Sequence, residues 1–221
     1  MAIAKVRMAI DELCARDPVF RAHVAKHETC DLKPRSGGRA HFEQLARAVA
    51  FQQLAGRAAS TIWGRVRELV PGDFTAEAVL ALTHGQLRSA GLSTAKALSI
   101  ADLAEHVVDG RLPLDRIARQ PEEAIIEELT RVRGIGRWTA EMFLMFQLGK
   151  LNVWPVGDLG VRAGYRALYE LDELPTVNEL EQLGERFRPY RSVAAWYCWR
   201  AADTVVPGAA KAASRSGSKA P

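Results

Sequence analysis

The sequence predicts an all-α protein, and three observations carry that prediction. Apolar residues recur at helical spacing. In HFEQLARAVAFQQLAGRAASTIWGRVRELV, Phe42, Leu45, Val49 and Leu54 follow one another at short helical steps, and Ile62, Val66 and Leu69 continue the habit. No apolar/polar alternation persists long enough to suggest a strand. Turn signals separate the periodic segments: SGG at 36–38, PGD at 71–73, Gly91, RLP at 111–113 and Pro189.

These breaks delimit the elements in order. Helices are expected at 2–14, 17–28 and, after SGG, 40–54. A helix at 58–69 stops at PGD, and short ones at 75–82 and 84–90 precede Gly91. The helix at 94–109 ends before RLP. The next, 121–131, opens on Pro121, with Glu122 and Glu123 well placed at the positive end of the helix dipole. Helices at 137–147, 157–169, 176–187 and 190–203 complete the set, with Pro189 between the last two. The final stretch, PGAAKAASRSGSKAP, is small, polar and Pro/Gly-rich, so disorder is expected over 206–221.

Bulk properties exclude several classes. With 221 residues and 48% hydrophobic content the chain can bury a proper core. No apolar run is long enough for a transmembrane helix, and the N-terminus lacks a basic-then-apolar signal pattern. A cytoplasmic location is expected, nucleoid-associated in a bacterium. Cys14, Cys30 and Cys198 are too few and too far apart for a disulfide framework or a zinc site. Net charge is +4, but Lys211, Arg215 and Lys219 in the tail supply most of it. Any case for nucleic acid must therefore rest on local clustering.

The clustering is at RVRGIGRWTAEMFLMF, residues 131–146. Gly134 and Gly136 bracket Ile135 between two helices, allowing a tight turn and close approach of another body. Free amides at the start of the second helix form an anion site. Arg131, Arg133 and Arg137 surround it, with no acid between Thr130 and Ala140. A phosphate suits such a site, and a site built from backbone reads no bases. The same glycines also suit a plain helical hairpin.

LTRVRGIGRWTAEMFLMF resembles the helix-hairpin-helix of the HhH-GPD superfamily of base-excision DNA glycosylases. Three further segments match that family in order. FEQLARAVAFQQLAGRAASTIWGRV resembles its helix–turn–helix with a Gln-Gln-Leu step. LNVWPVGDLGVR carries an aspartate, Asp158, after a Gly/Pro-rich loop. RFRPYRSVAAWYCWRAAD resembles the C-terminal helix of the alkylpurine (3-methyladenine, AlkA-type) branch. The match spans roughly residues 40–203.

The resemblance implies roles, residue by residue. Asp158 is the expected catalytic carboxylate, stabilising positive charge on the sugar carbon and orienting a water. By itself it also suits a helix N-cap. Relatives often carry a second acid just before it, where Gly157 stands here. Lyase relatives place a Schiff-base lysine just after the hairpin. Trp138 occupies that position, which implies a monofunctional enzyme that leaves an abasic site. Trp138 and Trp199 match walls of the base pocket, where an aromatic face attracts a cationic alkylpurine. Met142 stands where some relatives have an aromatic. Leu54, after Gln52 and Gln53, matches the wedge that fills the hole left by a flipped base. Aromatics and leucines at these spacings also suit a plain core. Arg133, Gly134, Ile135, Gly136 and Arg137 are the expected phosphate-binding residues. Backbone carbonyls of Thr130, Val132 and Ile135 match a sodium or potassium site. No cofactor is required, and the single C-terminal cysteine excludes the iron–sulfur cluster of some relatives.

The resemblance further implies two helical lobes with a DNA cleft between them. One combines 1–40 with 151–205 and carries Asp158; the other, 41–150, ends in the hairpin. The expected partner is double-stranded DNA containing damaged bases, bound by a monomer without a membrane. The expected activity is hydrolysis of the N-glycosidic bond of alkylated purines such as 3-methyladenine and 7-methylguanine. Two alternatives stay open: a glycosylase for hypoxanthine or an oxidised base, and a non-catalytic helix-hairpin-helix DNA-binding protein.

Overall fold

The computed structural model describes residues 2–34, 38–54 and 56–202, and among these every regular element is helical. The α-helices are α1 (Ala2–Arg16), α2 (Pro18–Val24), α3 (Gly38–Phe51), α4 (Gly56–Glu68), α5 (Ala76–Leu80), α6 (His84–Ser89), α7 (Thr94–Val108), α8 (Glu122–Thr130), α9 (Arg137–Phe146), α10 (Leu159–Leu168), α11 (Val177–Leu183) and α12 (Arg191–Ala201). Short 3-10 turns occupy Ile117–Arg119 and Gly184–Phe187. The tail at 206–221 and most of the SGG turn lie outside the described residues. Among the described residues no helix is long and apolar enough to cross a membrane.

Local chemistry sets the helix starts. Asp17, Thr75, Thr83, Ser93, Asp158 and Thr176 each accept a backbone N–H of the first turn. Several expected boundaries move, among them the end of 176–187, which stops at Leu183 before the 3-10 turn at Gly184–Phe187. The helix expected at 17–28 ends at Val24, where 3-10-type bonds from Lys26 N to His23 O and His27 N to Val24 O close a turn. The one expected to reach residue 54 ends at Phe51, because Gln53 adopts a left-handed φ of 56°. The helix expected at 157–169 starts two residues later, at Leu159, with Asp158 outside it as the cap.

Two groups of contacts organise the molecule. Helix α3 packs on α4, α7 and α9, while α5 and α6 lie on α7, and α8 on α9. Helix α10 packs extensively on α12, and α1 and α2 join them. At the α10–α12 crossing, a Cβ on Gly164 would fall 1.8 Å from the Cys198 carbonyl oxygen, so the two backbones touch. One contiguous apolar core runs through both groups, from Val6 to Trp199. This crossing fixes the start of α10 beside the last turns of α12.

Candidate active site

Asp158 is held on both carboxylate oxygens. Val161 N–H donates to Oδ1 at 2.9 Å, the capping bond that opens α10. Trp199 Nε1–H, from α12, donates to the same oxygen at 2.9 Å. Trp138 Nε1–H, from the first turn of α9, donates to Oδ2 at 2.6 Å. Three segments distant in sequence thus converge on one carboxylate. Trp199 is buried, whereas Trp138 is 45% exposed.

A cavity of about 380 Å³ opens between α3 and α9 beside Trp138. Phe51, Met142, Phe143 and Phe146 give it an apolar wall, and Arg47 stands at its rim with its guanidinium 4.0 Å over the Phe51 ring. Trp199 is not among the residues that line this cavity. Its indole lies behind Phe146, ring centroids 5.9 Å apart, and is turned toward Asp158. Phe51 and Phe146 were not anticipated. Phe146 continues the i,i+4 series of Trp138 and Met142 by one step, so helical spacing could have found it. Deeper in the cavity, the buried Gln147 amide pairs with His41 Nδ1 at 2.9 Å, and burial holds the His41 pKa below its ordinary value.

The expected wedge residues divide. Leu54 is 39% exposed just beyond α3, and Gln53 is exposed beside it. Gln52 turns inward instead: its amide donates to Gly134 O at 2.9 Å. It is an anchor between the α3 end and the hairpin, not a projecting side chain.

The hairpin joins α8 to α9. Gly134 has φ 77°, and Val132 and Ile135 are buried beneath the turn. Among the described residues the Gly134 and Gly136 N–H groups have no protein partner, and both glycines are exposed. Arg133 N–H is taken, donating to Asp102 Oδ2 at 2.7 Å, while its side chain is exposed. Arg137 departs from expectation. It bonds Glu123 twice, at 2.7 and 3.0 Å, and Glu141 at 3.1 Å. Its charge staples α8 to α9 and is not a free phosphate-binding cation. Glu141 is pushed up to about 7 by burial, with Arg137 opposing the shift. The Val132 carbonyl accepts Ile135 N at 3.1 Å, which leaves it one lone pair for any cation. Among the described residues no group of three or more His, Cys, Asp or Glu side chains could hold a metal ion.

The profile of HhH-GPD superfamily base excision DNA repair proteins matches residues 46–189, spanning the wedge, the hairpin and Asp158. The chain belongs to the HhH-GPD superfamily. Within it the chain stands with the 3-methyladenine glycosylases. It is 40% identical over 162 residues to DNA-3-methyladenine glycosylase 1 of Schizosaccharomyces pombe, covering 72% of this chain and 71% of that protein. It is similar to a DNA-3-methyladenine glycosidase structure from Bacillus halodurans, with a TM-score of 0.81, 36% identity and 89% of each chain covered. A structure of a Schizosaccharomyces pombe 3-methyladenine DNA glycosylase in complex with abasic DNA is also similar, with a TM-score of 0.73, 34% identity, and 87% of this chain and 95% of that one covered.

Proposed function

We propose that this HhH-GPD protein is a monofunctional DNA-3-methyladenine glycosylase of base excision repair. It hydrolyses the N-glycosidic bond of alkylated purines in double-stranded DNA and leaves an abasic site. The observation that carries this is the Asp158 carboxylate, gripped by two indole N–H groups beside an aromatic cavity.

The geometry suits that chemistry. As the C1′–N bond breaks, its electron pair leaves with the base and positive charge grows on the sugar. A fixed carboxylate stabilises that charge without reorganising. Oδ1 already accepts two N–H groups and Oδ2 only one. A carboxylate offers about four acceptor sites, so the one left is on Oδ2, on the side of cavity-lining Trp138. There the sugar cation or the attacking water meets the enzyme. Water adds to C1′ and passes its proton to the Asp158 carboxylate, while the cationic alkylpurine departs as a neutral base. The alkylpurine is already activated by its positive charge, so the aromatic cavity need only bind it. No amine stands at position 138, and Lys150 Nζ is tied to Gln120 O at 2.9 Å. Lys96 Nζ is likewise held by Ala50 O and Gln52 O, so among the described residues neither of these lysines offers a free amine for a Schiff base.

The duplex, in this reading, lies across the exposed face shared by Leu54 and the hairpin. Gly134 and Gly136 amides take a phosphate, and Arg131 and Arg133 add nonspecific attraction. Helices α1, α2, α10, α11 and α12 form one lobe and α3 to α9 the other, with the DNA cleft between them. A sodium or potassium ion at the Thr130, Val132 and Ile135 carbonyls, and a monomeric enzyme, complete the picture.

Release of 3-methyladenine and 7-methylguanine from methylated duplex DNA tests it. Wild type should release both; Asp158→Asn should bind the DNA and release neither. Release of only hypoxanthine or 8-oxoguanine would overturn the alkylpurine reading. DNA binding without release of any base by wild type would leave a non-catalytic binding protein. A borohydride-trapped covalent adduct would refute the monofunctional assignment.

A further inference from the structure

Helix α7 carries three polar side chains on one face, Lys96, Ser99 and Asp102, spaced three residues apart. Each meets one of the two surfaces that the proposed reading turns toward DNA. Lys96 Nζ donates to Ala50 O at 2.9 Å and to Gln52 O at 2.6 Å, the carbonyls at the end of α3 just before Leu54. Ser99, its hydroxyl turned back onto Ala95 O, lies so close to Gly134 that a Cβ there would fall 2.4 Å from Oγ. Asp102 Oδ2 accepts Arg133 N–H at 2.7 Å. The Gln52 amide then closes the loop directly, donating to Gly134 O.

We infer that this row on α7 is a gauge that sets the spacing between the Leu54 wedge and the phosphate-binding turn, with Lys96 and Asp102 as its positioning residues. The inference rests on the wedge reading of Leu54.

The geometry favours alignment over generic stability. Among the described residues Lys96 pairs with no carboxylate; its ammonium is directed to two backbone carbonyls at the negative end of α3. The carbonyl it grips most tightly, that of Gln52, immediately precedes Gln53, whose left-handed φ of 56° is unfavourable for a non-glycine residue. That conformation carries the chain out of α3 and exposes Leu54. Fixing Gln52 O therefore fixes where the wedge leaves the helix. Asp102 fixes the turn through a backbone amide, not a side chain, so the amides of Gly134 and Gly136 keep their aim. A flipped nucleotide needs both at once: a phosphate held and a hole filled, at one separation.

A double-mutant cycle on the full chain tests this, reading affinity for a duplex with a central tetrahydrofuran abasic analogue against the same duplex undamaged. Leu54→Ala should weaken abasic binding, and Lys96→Met should weaken it roughly tenfold. The pair together should bind no more weakly than the weaker single variant, because Lys96 acts through Leu54. Lys96→Arg should restore most of the loss, and undamaged duplex should bind alike throughout. Full additivity of the two losses, or wild-type binding by Lys96→Met, would overturn the inference while the wedge stands. Wild-type binding by Leu54→Ala would instead overturn the wedge reading and the gauge with it. If Lys96→Met does not fold, Lys96→Gln, a shorter and neutral side chain that loses the ammonium on the two carbonyls, carries the same cycle with the same expected outcomes.

Discussion

A single methyl group added at residue 160 tests whether the Trp199–Asp158 bond matters to the reaction. Gly160 lies in the first turn of α10, and a Cβ there would sit 2.7 Å from Trp199 Cδ1, 3.1 Å from its Nε1 and 3.0 Å from Asp158 Oδ1. Trp199 is 1% exposed and backed by Phe146, so its ring has no free space to enter. Gly160→Ala must therefore push the indole off the carboxylate or shift the start of α10. Overpacking of this kind costs about 1–3 kcal/mol, and for a chain of this size that lowers Tm by about 3–10 °C. Losing a hydrogen bond to a charged group costs about 1.5–3 kcal/mol. If that bond holds the carboxylate in its reacting pose, the single-turnover rate falls about 10- to 150-fold. The assay is release of 7-methylguanine from methylated duplex DNA with enzyme in excess, measured well below the variant's Tm. Gly157→Ala is the control, since no atom lies within 4 Å of a Cβ at that position. It should keep both Tm and rate. A Gly160→Ala protein with lowered Tm but wild-type rate would show that the indole packs α10 without serving Asp158. Unchanged Tm and rate would refute the contact itself.

Trp138→Phe removes the 2.6 Å bond to Oδ2 from a half-exposed side chain. Its Tm should stay within about 2 °C of wild type while the excision rate falls roughly tenfold or more; an unchanged rate would remove Trp138 from the site. Glu141 supplies a pH test. Its folded carboxyl is pushed up to about 7 from an ordinary 4.5, so between those values the folded chain binds the extra proton. The stability from this group is complete below about 4.5 and is lost as pH rises through about 7. Across that window wild type should lose Tm relative to Glu141→Gln, and a difference independent of pH would contradict the buried carboxyl's role.

The sequence made some of this legible and hid the rest for physical reasons. Helical spacing and turn residues gave the all-α class and nearly every element, because amphipathic periodicity is local. The cap at Asp158 and the turn at Gly134–Gly136 were readable for the same reason. Trp138 was singled out by the family resemblance and not by periodicity, and only the fold shows its indole N–H on Asp158. The Arg137–Glu141 pair was also within reach at i,i+4 spacing, but counting cations around the turn concealed it. Glu123, from the preceding helix, needed the folded hairpin to appear. Trp199 could be placed near the site but not oriented. Its inward turn depends on Gly160 and Gly164 letting α10 lie against α12, and a glycine in a helix does not announce which neighbour it admits.

Lys96 marks the limit of such reading. An ammonium that grips side chains selects acidic partners, and those leave a charge pattern along the chain. Lys96 grips the carbonyls of residues 50 and 52, and every residue has a carbonyl. The same holds for Asp102 on the Arg133 amide and for Gln52 on the Gly134 carbonyl. Contacts from side chain to backbone constrain one partner's identity and leave the other free. A device that aligns two backbone segments is therefore half invisible in sequence, although its effect is to fix the two surfaces that would face DNA. The residues that touch substrate can be read from their type, and the residues that aim them need the fold.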